Sequence, residues 1–170
     1  MSENAPAADS PAPPTAGDAA PDGSCVVTPG DETLTLSEVW ADGPLVLYFY
    51  PKDATPGCTT EACDFRDRTD EMTAAGVTVL GVSPDPPKSH QKFIDKQSLP
   101  FRLLSDEDHA LSEAYGVWVE KSMYGRKYMG VQRSTFLIAQ GGTVASAWPK
   151  VKVNGHVDAV LTAIEALPKS

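Results

Sequence analysis

The chain has 170 residues, a formal net charge of −9 at pH 7 and 41% hydrophobic content, which suits one domain with a real core plus a tail. An acidic chain lacks the basic stripe that nucleic acid requires, and it is repelled by anionic membrane surfaces. Its strongly apolar runs reach about six residues, far short of a membrane span.

No basic region followed by an apolar stretch opens the chain, so no secretory signal is expected. Three cysteines are too few for a disulfide scaffold. A reducing, cytoplasmic setting is therefore expected, and there a cysteine pair is more often catalytic or redox-sensing than structural.

In chain order, residues 1–16 are rich in proline and alanine, with no branched aliphatic or aromatic residue after Met1. Such a segment buries too little to offset its ordering entropy, so a disordered tail is expected before a domain over 17–170. Ser24–Val27 and the alternating Thr33–Leu36 read as short strands, with a turn at Pro29-Gly30-Asp31. Ser37 has the residue type of an N-cap for a short helix through Trp40. Leu45–Tyr50 is apolar on both faces, the mark of a strand covered on both sides.

After the segment 51–58, a helix is predicted from Thr59 to about Ala75, with Gly76 as its C′ residue. Val77–Val82 reads as a second central strand, Pro86–Gln97 as a helix and Phe101–Leu104 as a short strand. Asp106 or Asp108 is placed to cap a brief helix ending near Gly116. Two arms surround Tyr124-Gly125, Ser134–Ala139 is a third good strand, and Thr143–Ala147 pairs back on it. The final helix opens at Asn154-Gly155-His156, with Val157, Val160, Leu161, Ile164 and Leu167 at helical spacing. This order predicts an α/β fold: a three-layer α/β/α sandwich on a mixed sheet.

In open α/β sheets the site lies beyond the carboxyl ends of the strands. Cys58 falls there, after Leu45–Tyr50 and at a helix start. A thiol attacks as thiolate, and three features here favour that anion: the free N–H groups and dipole of the helix N-terminus, the Thr55 hydroxyl, and a fixed cation, for which Arg133 at the head of Ser134–Ala139 is placed. Pro56 and Gly57 suit the corner, since proline needs no N–H partner and glycine allows close approach.

Tyr48 to Cys63, with Pro51, Thr55 and Cys58 in a Pro-x-x-x-Thr-x-x-Cys pattern, followed by Glu61 and Cys63, resembles the active-site segment of peroxiredoxins of the bacterioferritin-comigratory-protein, or PrxQ, branch. Arg133–Ile138 resembles the family's later arginine strand, and the likeness extends over about residues 17–167. The resemblance implies a thioredoxin-like fold and a thiol peroxidase that needs neither metal nor other cofactor. It implies that Cys58 attacks a hydroperoxide, that Thr55 and Arg133 hold its oxygens, and that Pro51 shields the sulfur. It further implies that Cys63 resolves the sulfenic acid as an intramolecular disulfide, which thioredoxin or a similar dithiol reduces. Glu61 reads either as a favourable acid in the first helical turn or as a residue that orients the arginine. One departure stands out: the family's aromatic after Ala-Pro-Asp is missing, because Ala20-Pro21-Asp22 runs into Gly23.

Spacing adds a conformational expectation. Five residues of helix advance about 7.5 Å and turn about 140°, which sets the Cα atoms of Cys58 and Cys63 roughly 8.6 Å apart. A disulfide requires about 7 Å or less. The first turns of the helix must therefore unwind for the pair to join, and amide exchange of residues 58–66 is expected to differ between redox states.

Rival readings are a thioredoxin-type reductase, which wants Cys-x-x-Cys, and a redox sensor that does not turn over. Cys25 reads as a small residue of the first strand, with resolution of Cys58 as its alternative role. His90, His109 and His156 are scattered in sequence, read as surface or loop residues, and make a poor zinc set. No interface stripe is evident, and a monomer is expected.

Overall fold

The doubly apolar run after Pro44 becomes a strand, β3 (Leu45–Phe49), in which every residue is buried. In the computed structural model, which describes residues 12–168, Leu45, Leu47 and Phe49 enter one core while Val46, Tyr48 and Tyr50 enter another. This period-two division means that β3 has a layer of structure on each side.

Before β3 come β1 (Ser24–Thr28), β2 (Thr33–Thr35) and α1 (Leu36–Asp42); after it come α2 (Pro56–Ala74), β4 (Thr78–Ser83), α3 (Pro87–Gln97), β5 (Arg102–Ser105) and α4 (Ala110–Ala114). The hairpin β6 (Trp118–Met123) and β7 (Arg126–Val131) follows, then β8 (Ser134–Ile138), β9 (Val144–Trp148) and α5 (His156–Glu165). Seven strands form one mixed sheet in the order β2-β1-β5-β4-β3-β8-β9. β3 pairs parallel with β4 and antiparallel with β8.

Phe65 of α2, Phe93 and Ile94 of α3, and Val157, Val160 and Leu161 of α5 pack on the face of Val46 and Tyr48. Leu36 and Trp40 of α1 and Leu111 of α4 cover the other face. The expected three-layer α/β/α architecture is therefore present, and the last helix buries Val157, Val160, Leu161 and Ile164 of its predicted stripe, while Leu167 falls beyond its end and is half-buried.

Several local expectations hold with small shifts of boundary. Helix α2 starts at Pro56, three residues before the predicted Thr59, because Pro56 takes the first helical position, where a missing N–H costs nothing. At its far end Gly76 N–H donates to the Thr73 carbonyl (2.9 Å) and Val77 N–H to the Met72 carbonyl (2.9 Å), with Gly76 at φ 81°. That is a Schellman stop built on the predicted C′ glycine. Asp106, rather than Asp108, is the principal cap of α4: its carboxylate accepts from the N–H groups of Leu111 (3.0 Å) and Ser112 (2.7 Å).

Other expectations are corrected. Ser37 is not an N-cap; it lies inside α1, and its N–H donates to Asp22 Oδ1 (2.9 Å), an acceptor brought from 15 residues upstream. At Gly23 a Cβ would come within 2.8 Å of Leu111 Cδ1, so α4 occupies the space beside the position where the family's aromatic would fall. Most of the segment 1–16 lies outside the described residues. Within the rest of it Pro14 is buried and Thr15 N–H donates to Asp18 Oδ2 (2.8 Å), so packing reaches slightly earlier than Gly17. The β6–β7 hairpin exposes Met123, Tyr124, Tyr128 and Met129, an apolar surface that the sequence pattern did not reveal. Among the described residues, no helix is long and apolar enough to cross a membrane.

Candidate active site

The chain leaves β3 through Tyr50, whose N–H still donates to the Val82 carbonyl (3.0 Å), and turns through a five-residue loop into α2. Thr55 is the extended N-cap residue of that helix, and its carbonyl accepts the Thr59 N–H (2.8 Å). Cys58 is therefore the third helical residue, 1% exposed, with its thiol at the positive end of a 19-residue helix.

Arg133 precedes β8, and the register Phe49↔Ser134 carries it to the end of β3 where the loop begins. Its Nη2 donates to Cys58 Sγ (3.3 Å) and its Nη1 donates to Glu61 Oε1 (2.6 Å). Glu61 lies one turn after Cys58 and so shares its face of the helix. The guanidinium thus bridges two side chains of α2. Gly57 makes room for it: a Cβ there would lie 3.2 Å from Arg133 Nη2.

Glu61 is fully buried, and its Oε2 has no hydrogen-bond partner. Burial pushes its carboxyl up to about 7, although Arg133 pulls it down. Burial alone would lower the arginine, but the charges of Glu61 and Cys58 raise it, so the guanidinium stays cationic.

Thr55 does not meet the expectation of a hydroxyl bonded to the thiol. Its Oγ1 donates to the Lys52 carbonyl (2.8 Å), which closes the loop on itself. Pro51 heads that loop and is half-buried. Ala54 adopts φ 65°, a left-handed conformation uncommon for a residue with a Cβ.

Asp53 holds the loop in this shape through a network that the sequence reading missed. Its Oδ1 accepts from Tyr50 Oη (2.5 Å), and its Oδ2 lies 2.8 Å from Ser89 Oγ and 2.7 Å from His90 Nδ1. Asp53 N–H donates to Asp85 Oδ2 (2.8 Å), which also accepts from Ser83 Oγ (2.6 Å). His90 Nε2 donates to the Leu104 carbonyl (2.9 Å). The active-site loop is thereby tied to β4, α3 and β5.

The histidine expectation is corrected here. His90 is fully buried, and its ligand atoms gather with those of Asp53 and Asp85 within 4.8 Å, yet these atoms are already paired with one another and with nearby hydroxyls. His156 is also buried; its Nε2 lies 2.8 Å from Thr135 Oγ1, and burial, with Arg133 adding, pushes it down to about 4. Only His109 has the accessible setting expected of all three. The spacing of His90 with Phe93, Ile94 and Gln97 was a legible signal, because i, i+3, i+4 and i+7 share the buried face of α3.

All three cysteines are free thiols. Cys58 and Cys63 both lie in the unbroken α2, so the separation expected from their spacing applies. Cys63 is half-buried, and its Sγ donates to Gln97 Oε1 of α3 (3.4 Å). Cys25 sits on β1, three strands from β3, and packs into the core on the opposite face of the sheet from Cys58. Burial pushes its thiol up to about 12, with Asp106 and Asp108 adding to the effect. In this fold it is a core residue on the far side of the sheet from Cys58.

A thiol at a helix N-terminus, facing a half-buried arginine on a thioredoxin-like sheet, defines a thiol-based oxidoreductase. Comparison with known proteins gives the particular class. A family model described as the AhpC/TSA family matches residues 16–147. The chain is 56% identical over 130 residues to a putative peroxiredoxin bcp of Coxiella burnetii, covering 76% of this chain and 85% of that one. A structure of Xanthomonas campestris peroxiredoxin Q superposes with a TM-score of 0.81 at 49% identity, covering 86% of this chain and 92% of that chain. A bacterioferritin comigratory protein from the same organism, described for its alkyl peroxide reduction activity, gives 0.80 at 46% identity, with 88% and 98% covered. The chain belongs to the AhpC/TSA family and, within it, to the Bcp/PrxQ peroxiredoxins, which are thiol-dependent peroxidases.

Proposed function

We propose that this peroxiredoxin reduces hydrogen peroxide and organic hydroperoxides at Cys58 and resolves the product through Cys63. The observation that carries this reading is the Arg133 guanidinium, which reaches Cys58 Sγ and Glu61 Oε1 together. A fixed cation beside the sulfur, at a helix N-terminus, stabilises the thiolate and the charge that develops as the peroxide bond breaks.

The Cys58 thiolate attacks the terminal peroxide oxygen, so that an S–O bond forms and the O–O bond breaks. The leaving oxygen takes a proton and departs as water or an alcohol, and Cys58 becomes a sulfenic acid. Arg133 and Thr55 hold the peroxide oxygens, Pro51 limits water at the sulfur, and Glu61 orients the arginine. Asp53 and its partners keep the loop that carries Pro51 and Thr55 in place.

Cys63 then attacks the Cys58 sulfur, the hydroxyl leaves as water, and an intramolecular disulfide forms. This step requires the start of α2 to unwind, because the intact helix keeps the two residues apart. Thioredoxin or a similar dithiol reduces the disulfide and returns the helix. Three free thiols suit a reducing, cytoplasmic setting, and the chemistry needs no second subunit.

The test is peroxide consumption by the purified protein with thioredoxin, thioredoxin reductase and NADPH. Turnover is expected, with complete loss in Cys58→Ser. Cys63→Ser is expected to undergo one oxidation at the normal rate but to form no intramolecular disulfide. A stoichiometric oxidation that no dithiol reverses would favour a sensor over a peroxidase.

A further inference from the structure

The part of α2 that must move and the part that must stay are separated by a contact with α3. Gln97 is the last residue of α3, and its carbonyl is one of the groups that no intrahelical N–H can reach. Arg66 Nη1 of α2 donates to that carbonyl (2.8 Å), so a cation meets the negative end of the α3 dipole. The Gln97 side chain turns to Cys63, three residues before Arg66, and accepts its thiol hydrogen at Oε1 (3.4 Å). One residue of α3 therefore holds both the resolving cysteine and the next turn of its helix.

Ring packing begins at the same place, although Ala62 before it is also fully buried. Phe65 is fully buried, with its ring stacked on Tyr48 (centroids 4.6 Å) and edge-on to His156 (6.1 Å). From Phe65 onward α2 is fastened to the sheet and to α5 by contacts that the redox reaction does not touch. Before Phe65, the side-chain polar ties of α2 that reach beyond the helix itself are the Arg133 bonds to Cys58 and Glu61 and the Cys63–Gln97 bond. Oxidation of Cys58 alters the sulfur that Arg133 faces. Unwinding as far as Cys63 must then break two side-chain bonds, Arg133 to Glu61 and Cys63 to Gln97, and of these only the second is made by the resolving residue itself.

We infer that Gln97 and Arg66 are positioning residues for resolution: Gln97 latches Cys63 onto α3 as a thiol, and Arg66 on the Gln97 carbonyl marks where unwinding of α2 stops. This rests on the reading of Cys63 as the resolving residue. When the latch opens, Cys63 leaves Gln97 Oε1 and its sulfur bonds to the Cys58 sulfur. The Cys58 S–O bond breaks, and the hydroxyl leaves with the Cys63 proton as water. Cys63 is oxidised as Cys58 is reduced from sulfenic acid to disulfide, so both atoms and electrons balance. The contact slows this step in the intact protein by favouring the helical state. A slow step leaves the sulfenic acid open to further peroxide and thus to sulfinic acid.

The experiment separates the two rates. Reduced protein is mixed with peroxide, quenched at intervals with acid and a thiol-blocking reagent, and scored by mass for sulfenic acid, disulfide and sulfinic acid. Gln97→Ala is expected to oxidise at Cys58 at the parent rate and to form the disulfide about two- to tenfold faster, the worth of one modest hydrogen bond. It should also accumulate less sulfinic acid at high peroxide. Gln97→Glu, which keeps an acceptor, should resolve no faster than the parent. Arg66→Met should extend the loss of amide protection in the disulfide form beyond residue 66, into residues that stay protected in the parent.

An unchanged resolution rate in Gln97→Ala overturns the latch, and an unchanged protection boundary in Arg66→Met overturns the stop. Failure of the underlying reading looks different: the parent protein itself would form no Cys58–Cys63 disulfide, or Cys63→Ser would form one with Cys25.

Discussion

Replacing Gly57 with alanine sets local stability against catalysis in a way that the structure makes quantitative. Gly57 sits at the second helical position of α2 without a positive φ, so alanine fits its backbone. In a helix this exchange gains roughly 0.5–1 kcal/mol, because glycine loses more freedom on folding. For a chain of this size that raises Tm by about 1–4 °C.

The same methyl group, however, lies 3.2 Å from Arg133 Nη2 and 3.9 Å from Cζ. The guanidinium must give way by a few tenths of an ångström, and Nη2 is the nitrogen that donates to Cys58 Sγ. A misplacement of about 1 Å at a reacting group costs roughly 100-fold, so a few tenths cost roughly two- to fivefold. Stopped-flow oxidation of the reduced protein by peroxide reads the rate of the first step, and thermal unfolding reads the stability. The expected outcome is a slower first step in a more stable protein. An unchanged rate at raised stability would refute the claim that the position of Arg133 against Cys58 sets the rate; a fall in both would place the clash elsewhere.

Three further outcomes are expected. Glu61, pushed up to about 7 chiefly by burial, gains a proton as pH falls through that value and loosens its hold on Arg133, so the oxidation rate of Cys58 should show an inflection near pH 7 that is missing from Glu61→Gln. His156, pushed down to about 4, stays neutral in the fold while the unfolded chain takes a proton near pH 6.5. Its contribution is therefore present above pH 6.5 and lost as pH falls through 4, by roughly 3 kcal/mol in all. Because Glu61 titrates with the opposite sign, the measurement is the difference in urea stability between the parent and His156→Asn at pH 7 and at pH 4.5. Equal differences at the two pH values would remove His156 as the cause. Asp53→Ala strips partners from His90, Tyr50 and Ser89 at once, and losing one side of a buried pair costs about 3–5 kcal/mol. Chemical denaturation checks this, and a loss under about 1 kcal/mol would mean that water replaces the carboxylate.

Much of the fold is legible because it follows from periodicity and punctuation. Residues 45–49 are apolar on both faces and become a strand buried on both faces, while Gly76 stops α2 because a left-handed residue is needed there. The active-site segment is legible for a related reason: thiol, proline, threonine and glycine lie within eight residues, so their local chemistry is continuous in the chain. Even the separation of Cys58 and Cys63 follows from five residues of helix, which the rise per residue alone decides.

What required the tertiary structure is everything joined across elements. Strand order places Arg133 only roughly; the register of β8 on β3 brings it to Cys58. Glu61 is fully buried and bonded to Arg133 at 2.6 Å, a placement that its position near the start of α2 does not reveal. Thr55 bonds its own loop instead of the thiol, an outcome set by the shape of the turn and not by its distance in sequence. Asp53 and His90 are 37 residues apart, and nothing local marks them as partners; only the packing of α3 against β5 closes that bond. Cys25 and Cys58 look equivalent as letters, yet the sheet separates them onto opposite faces. Residue type and spacing thus determine which side chains are candidates and how far apart one helix holds them. Burial, register and long-range pairing decide which charges those atoms meet, because such interactions fall off over a few ångströms in space with no regard to distance along the chain.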